Sequence, residues 1–228
     1  MNSILEKLKG KVIVSSQAMP GEPFYDENCM MAMMKSVING GAEILRVAGP
    51  RDVKIAKSLG ATVIGITKPD KLPDNWKSVV YITPELCDVI SLIDAGADII
   101  AFDGTPRLRG NCTLEQIISE IHAAKKLAMA DISTFEEGIN CVSLGADIIS
   151  TTLSGYTDES GEAAVGPDFA LLEKLVKTTD KPIILEGRIW EPKEVQKAFE
   201  LGAYAVVIGS AITRPQLITK RFMEYKNA

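Results

Sequence analysis

Gly96-Ala97-Asp98-Ile99-Ile100-Ala101-Phe102-Asp103 is one copy of a phrase that this chain repeats: Gly-Ala, one further residue, then an apolar run. It returns as Gly41-Ala42-Glu43-Ile44-Leu45-Arg46-Val47, Gly60-Ala61-Thr62-Val63-Ile64-Gly65-Ile66, Gly145-Ala146-Asp147-Ile148-Ile149-Ser150-Thr151 and Gly202-Ala203-Tyr204-Ala205-Val206-Val207-Ile208. Each copy follows a helix-patterned segment, and its glycine is placed to take the left-handed conformation that ends a helix. The run after it is apolar at successive positions, as in a strand of a parallel sheet buried on both faces. Strands of like composition, without the phrase, are expected at Lys11 to Ser15, Leu127 to Asp131 and Pro182 to Glu186, which makes eight.

Helix starts can be named between the strands. Asn28 is expected to cap a helix with an apolar face of Met30, Met31, Met33, Met34 and Val37. Thr83-Pro84-Glu85 is expected to open the third helix with Pro at its first position. Thr113 with Gln116, and Ser133-Thr134 with Glu136 and Glu137, resemble capping boxes. Pro167-Asp168 and Pro192 start two more, and Arg214-Pro215 leads into a last helix with Leu217, Ile218 and Phe222. Strands and helices in strict alternation predict a (β/α)8 TIM barrel, an α/β fold. No Gly-x-Gly-x-x-Gly follows the first strand, as a doubly wound nucleotide-binding sheet would require. No Pro-, Gly- or Ser-rich linker divides the chain, so residues 1–228 read as one domain with a short N-terminal helix before the first strand. The longest loop, Gly155 to Gly166, is expected on the catalytic side, where it would act as a lid.

Composition narrows the function. The 228 residues are 46% hydrophobic and carry a net charge of −5, with no long Lys/Arg block for nucleic acid or an anionic membrane. The amino terminus lacks the apolar core of a signal peptide, and no run approaches a membrane span, so a cytoplasmic protein is expected. Cys29, Cys87, Cys112 and Cys141 lack Cys-x-x-Cys spacing and read as buried or semi-buried free thiols. His122 is the only histidine, so no His-rich metal site can be built, and it reads as a surface or packing residue.

In a barrel the strand exits converge on one mouth. In order they are Ser15 and Gln17, Arg46, Lys68, Asp103, Asp131, Thr151 to Ser154, Glu186 with Arg188, and Gly209 with Ser210. Lys68 is a loop lysine, a base made available by burial or by Arg46, or a Schiff-base amine. Glu186 either pairs with Arg188 or Arg46, or donates a proton to a developing oxyanion. Asp131 carries the same ambiguity, and Asp103 is either a capping or a binding residue. Gln17 and Arg46 would orient a ligand amide or hydroxyl. Gly187, Arg188, Gly209 and Ser210 follow the last two strands, where barrel enzymes commonly hold a phosphate.

Several phrases then match one family. They are Val14-Ser15-Ser16-Gln17-Ala18-Met19-Pro20, Gly65-Ile66-Thr67-Lys68, Ile100-Ala101-Phe102-Asp103-Gly104-Thr105, Met129-Ala130-Asp131-Ile132-Ser133-Thr134, Thr151-Thr152-Leu153-Ser154-Gly155-Tyr156-Thr157, Glu186-Gly187-Arg188 and Gly209-Ser210-Ala211-Ile212-Thr213-Arg214. Across essentially its whole length the chain resembles the N-acetylmannosamine-6-phosphate 2-epimerases of bacterial sialic-acid catabolism. The resemblance implies interconversion of N-acetylmannosamine 6-phosphate and N-acetylglucosamine 6-phosphate without metal, nicotinamide or flavin. It also implies Lys68 as the residue that takes the C2 proton and Glu186 as its partner acid. Gln17, Arg46 and Asp131 become substrate-positioning residues, Gly187, Arg188, Gly209 and Ser210 phosphate-binding ones, and the expected assembly is a homodimer. The chain departs from the family pattern at Pro69, where a basic residue is frequent, and in a longer loop through Trp76 and Lys77. Two other readings stay open: a phosphate-barrel enzyme using Lys68 as a Schiff base, and a non-catalytic sugar-phosphate-binding protein.

Overall fold

The computed structural model describes residues 3–162 and 165–224. Its strands are β1 (Lys11–Ser16), β2 (Ile44–Ala48), β3 (Thr62–Ile66), β4 (Ile99–Asp103), β5 (Leu127–Asp131), β6 (Ile148–Ser150), β7 (Ile183–Glu186) and β8 (Ala205–Ile208). All pair in parallel, each with the next, and β8 closes on β1. Helices α2 (Glu27–Asn39), α3 (Pro50–Ser58), α4 (Leu86–Asp94), α5 (Leu114–Ala123), α6 (Phe135–Ser143), α7 (Phe169–Thr178) and α8 (Pro192–Glu200) connect them. The expected (β/α)8 barrel is therefore the fold. A helix α1 (Ser3–Leu8) precedes β1, and a single turn, α9 (Ser210–Thr213), stands between β8 and α10 (Pro215–Glu224). No helix among the described residues is long and apolar enough to cross a membrane.

The repeated Gly-Ala phrase is a helix stop followed at once by a strand. Gly41, Gly60, Gly96, Gly145 and Gly202 all take positive φ, between 80° and 103°. At Gly96 the amide donates to the Ile93 carbonyl, and the Ala97 amide reaches back to Leu92. The same pair of bonds recurs at all five copies. This is the Schellman arrangement, which satisfies the carbonyls that the last helical turn leaves open. The alanine sits where the chain turns inward, and Ala61, Ala97, Ala146 and Ala203 are buried.

Strand periodicity separates two cores. Val14, Leu45, Val47, Val63, Ile100, Phe102, Ala128, Ala130, Ile149, Leu185 and Val206 pack outward against the helices. The alternate residues, Ile13, Ile44, Ile64, Ile66, Ile99, Ala101, Leu127, Met129, Ile148, Ile184, Ala205 and Val207, fill the barrel. Leu8 of α1 is fully buried with the second set and plugs the end where the strands begin. The α1 segment is fastened there by the Tyr204 hydroxyl donating to Leu5 O at 2.9 Å.

Most expected helix starts hold. Thr113 with Gln116 and Thr134 with Glu137 form capping boxes, Asp168 caps α7, and Pro192 opens α8. Two are corrected. Asp26, not Asn28, caps α2, its carboxylate accepting from the amides of Asn28 and Cys29. Glu85 caps α4 with Asp88 as its partner, which leaves Pro84 before the helix rather than at its first position. Thr83 just ahead takes φ 45°, and its hydroxyl donates to Ala101 O of β4. On α2, Met30 and Met34 are buried, and Met31 and Val37 pack partly against the core. Cys112 and Cys141 are buried and Cys29 half-buried, but Cys87 is exposed on the outer face of α4, against expectation. His122 pairs with Asp147 at 2.9 Å on the partly exposed side of α5.

Candidate active site

The interior rows of the strands continue past their apolar layers into polar residues at the mouth. Above Ile13 come Ser15 and Gln17, above Ile44 comes Arg46, and above Ile64 and Ile66 comes Lys68. Above Leu127 and Met129 stands Asp131, above Ile148 come Ser150 and Thr152, and above Ile184 comes Glu186. Each continues an inward-facing row in steps of two, so the pleat that builds the core also aims these groups at the axis.

They form two tiers. In the lower one Arg46 and Asp131 are 1% and 0% exposed, with the guanidinium donating to both carboxylate oxygens at 2.9 and 2.5 Å. Arg46 also reaches Glu186 Oε2 at 3.0 Å. Burial works against the charge on Arg46, but Asp131 and Glu186 more than offset it, so its pKa is raised and it stays a cation. The Thr152 hydroxyl lies 2.7 Å from Asp131 Oδ1 and 3.0 Å from Glu186 Oε2, with Ser150 Oγ behind it at 2.9 Å. It has one proton for two carboxylates, so it links their charge states.

The upper tier opens into a cavity of about 400 Å³. Lys68, Gln17, Thr152 and Glu186 line it, with Gly187, Arg188, Gly209, Ser210 and Arg214 toward β7 and β8, and Tyr81, Ile82 and Leu153 toward β3 and β6. Arg46 and Asp131 are not among its lining residues; they act on it from beneath. The Lys68 ammonium donates to Gln17 Oε1 at 2.8 Å, and Gln17 in turn donates to Ser15 Oγ at 2.9 Å. Burial, and then the charge of Arg46, lower the Lys68 pKa from 10.5 to about 8, against the pull of Glu186 and Asp131. Burial also pushes the Glu186 carboxyl up, opposed by Arg46 and reinforced by Asp131.

At the β7 and β8 exits Gly187 has φ 112°, which a side chain would strain, and a Cβ at Gly209 would stand 3.4 Å from that of Ser15. Arg188 lines the cavity, but its guanidinium donates to the carbonyls of Gly166 (2.7 Å) and Ser154 and lies over the Tyr156 ring. It therefore ties β7 to the loop after β6. That loop is held further by Thr157 to Ser133 at 2.8 Å and Ser154 to Asp168 at 2.6 Å. The expected lid includes residues 163–164, which lie outside the described residues. Asp103 does not reach the cavity: it accepts from Thr105 and Arg107.

Thr152, Arg214 and Tyr81 line the cavity but were given no role by the sequence reading. Thr152 stood in a quoted phrase, and its place on the inward row of β6 could have singled it out. Arg214, ion-paired to Glu22 at 2.6 Å, adds a positive charge felt by Lys68, and its signal was a basic residue just after the last strand. Tyr81 lies in an irregular segment with no local signal.

Comparison with known proteins finds matches over nearly the whole chain. A family model described as "Putative N-acetylmannosamine-6-phosphate epimerase" matches residues 30–228. A relative from Caldanaerobacter subterraneus subsp. tengcongensis, named "Putative N-acetylmannosamine-6-phosphate 2-epimerase", is 47% identical over 97% of this chain and 93% of its own. One of the same name from Clostridioides difficile is 43% identical over 97% and 98%. The solved structure of the N-acetylmannosamine-6-phosphate 2-epimerase from Clostridium perfringens superposes with a TM-score of 0.91 at 45% identity, over 97% of this chain and 95% of that one. A thiamine phosphate pyrophosphorylase from Pyrococcus furiosus, at 15% identity and TM-score 0.60, shares the fold alone.

Proposed function

Because the chain belongs to the N-acetylmannosamine-6-phosphate epimerase family, we propose that it interconverts N-acetylmannosamine 6-phosphate and N-acetylglucosamine 6-phosphate by moving the proton on C2. The observation that carries the reading is the Lys68 amine, lowered to about 8 and sharing one cavity with Glu186. In the ring-opened sugar the C2 hydrogen is α to an aldehyde, so its removal gives an enediolate. With a pKa of about 8, about one amine in ten is neutral at pH 7 and able to act as the base. Gln17 holds that amine in place.

Glu186 faces the charge that develops on O1. Burial and the neighbouring Asp131 favour its protonated form, which can donate to that oxygen, while Arg46 limits the shift and holds the carboxyl in position. Return of a proton to the opposite face of C2, as Glu186 takes back the O1 proton, gives the epimer and restores the acid. The Gly187, Gly209 and Ser210 turns, with Arg214 near them, suit the 6-phosphate at the β7 and β8 end. The same reading places the protein in the cytoplasm, in amino-sugar catabolism. It also takes a homodimer as the working assembly, with the exposed Phe222 and Met223 of α10 as apolar surface available to a second copy.

Turnover in deuterated water tests the reaction directly. Product carrying deuterium at C2 is expected; turnover with the original hydrogen retained would rule out proton transfer with exchange.

A further inference from the structure

We infer that Tyr81 is a specificity-determining residue of this cavity, forming with Leu153 the wall that receives the acyl group on the C2 nitrogen, and that Arg107 is the residue that positions it. The inference rests on the epimerase reading and assigns the end of the cavity that the reading left without a role.

The direction follows from the barrel. With the phosphate over the β7 and β8 exits and C2 between Lys68 and Glu186, the nitrogen substituent points away from the phosphate. What lies there is Tyr81, Ile82 and Leu153. Ile82 and Leu153 are 2% and 1% exposed, so they present an uncharged, nearly closed surface. Such a surface suits an acyl methyl and disfavours a bare ammonium, which would also stand close to the Arg46 and Lys68 charges. Burial pushes the Tyr81 phenol up to about 12, so it keeps its proton and can donate to an amide carbonyl.

Tyr81 lies in an irregular stretch, yet it is held like part of the sheet. The Thr83 amide donates to Thr67 O and the Asp103 amide to Ile82 O, both at 3.1 Å. The Thr83 hydroxyl donates to Ala101 O at 2.7 Å and accepts from the Thr67 amide at 3.1 Å. Residues 82–83 thus lace between the ends of β3 and β4. Arg107 completes the bracket. Its guanidinium binds Asp103 and Thr105, donates to the carbonyls of Trp76 (3.1 Å) and Lys77 (2.9 Å), and lies 5.9 Å from the Tyr81 ring centroid. Trp76 meets the same ring edge-on at 6.2 Å. A buried ion pair outside the cavity lining therefore fixes one wall of the cavity.

The test compares N-acetyl- with N-propanoylmannosamine 6-phosphate on the full-length protein. Tyr81→Ala should lower kcat/KM for the acetyl sugar about tenfold, mainly through KM, and shift the acetyl-to-propanoyl preference about tenfold toward the larger group. Tyr81→Phe keeps the ring and should weaken both substrates without changing their ratio. Arg107→Met should move the ratio in the same direction as Tyr81→Ala. Equal losses on both sugars for Tyr81→Ala would overturn the specificity role. A lower melting temperature with an unchanged ratio for Arg107→Met would reduce that residue to a structural one. Wild-type protein that turned over neither sugar would instead strike the epimerase reading itself.

Discussion

The end of the barrel where the strands begin and the end where they finish are built by opposite means. At the first, one turn is used five times: a left-handed glycine, two back-bonds to the preceding helix and an alanine, buried in four of the five copies. At the second, unlike side chains from separate strands are gathered: Gln17, Lys68, Thr152 and Glu186 stand in one cavity over an Arg46–Asp131 pair. The first end is paid for in backbone geometry and the second in desolvated charge. Substitutions at the two ends should therefore separate cleanly, one set changing stability with chemistry intact, the other changing chemistry with stability intact or improved.

Lys68→Ala is the largest break. Removing a general base costs about 10²–10⁴ in rate, so kcat should fall about a thousandfold. The fold should not suffer. Below about pH 8 the buried amine is charged in both folded and unfolded states, and its lowered pKa records the cost of burying that charge. An equal or higher melting temperature is expected alongside the lost activity; a joint loss of both would merge the two ends of the comparison.

The wild-type pH profile sharpens the same point. Turnover needs Lys68 without its proton and Glu186 with one, so kcat/KM should follow a bell, one limb turning near pH 8 where Lys68 titrates and the other set by the raised carboxyl of Glu186. The folded pKa lies below the unfolded one, so stability should also rise as the pH goes from about 8 toward 10.5. A profile flat from pH 6 to 9 would remove Lys68 as the titrating base.

Legibility in the sequence follows the same division. The Gly-Ala phrase is local: glycine, its back-bonds and the start of the next strand lie within a few residues, so strand order and barrel closure could be read from it. The mouth is assembled from exits far apart in the chain, and what could be read was the roster, not the tiers. Arg46 and Asp131 could be read as strand-end groups at the mouth; that they pair with each other, and that Arg46 also reaches Glu186, is visible only in the three-dimensional register. Arg188 could be read as an anion ligand at a strand exit, and it lines the cavity; that two of its donors also meet the carbonyls of residues 154 and 166 no local pattern announces. Tyr81 was invisible because Arg107 and Thr83 hold it, from 26 and 2 positions away, in a segment without period. Asn28 gave way to Asp26 because either can cap a helix, and two residues of offset lie within the uncertainty of any cap assignment.

At the repeated end the expected effects are smaller. Gly96 has φ 95°, and a Cβ there would meet nothing closer than Lys57 Cγ at 3.7 Å. Gly96→Ala is therefore a purely backbone perturbation, costing about 1–2 kcal/mol. That should lower the melting temperature by about 2–8 °C for a chain of this size, with kcat unchanged. A change in kcat would mean that the two ends are coupled through β4.

The smallest effect comes from the helix that breaks the pattern. Between α5 and β5 the chain makes the same stop without a glycine: the Lys125 amide donates to His122 O, the Lys126 amide to Ile121 O, and Lys125 itself takes φ 58°. The bonds are those of the five glycine turns, so here a side chain bears the left-handed strain that glycine avoids. Lys125→Gly should relieve it, less the extra freedom that glycine gives the unfolded chain. The net expectation is about 0.5 kcal/mol of added stability, read as a rise in the midpoint of urea unfolding with unchanged slope and unchanged turnover. A destabilised Lys125→Gly protein would mean that the lysine side chain itself contributes more than the turn costs, and that the glycine phrase is not what sets the stability of these stops.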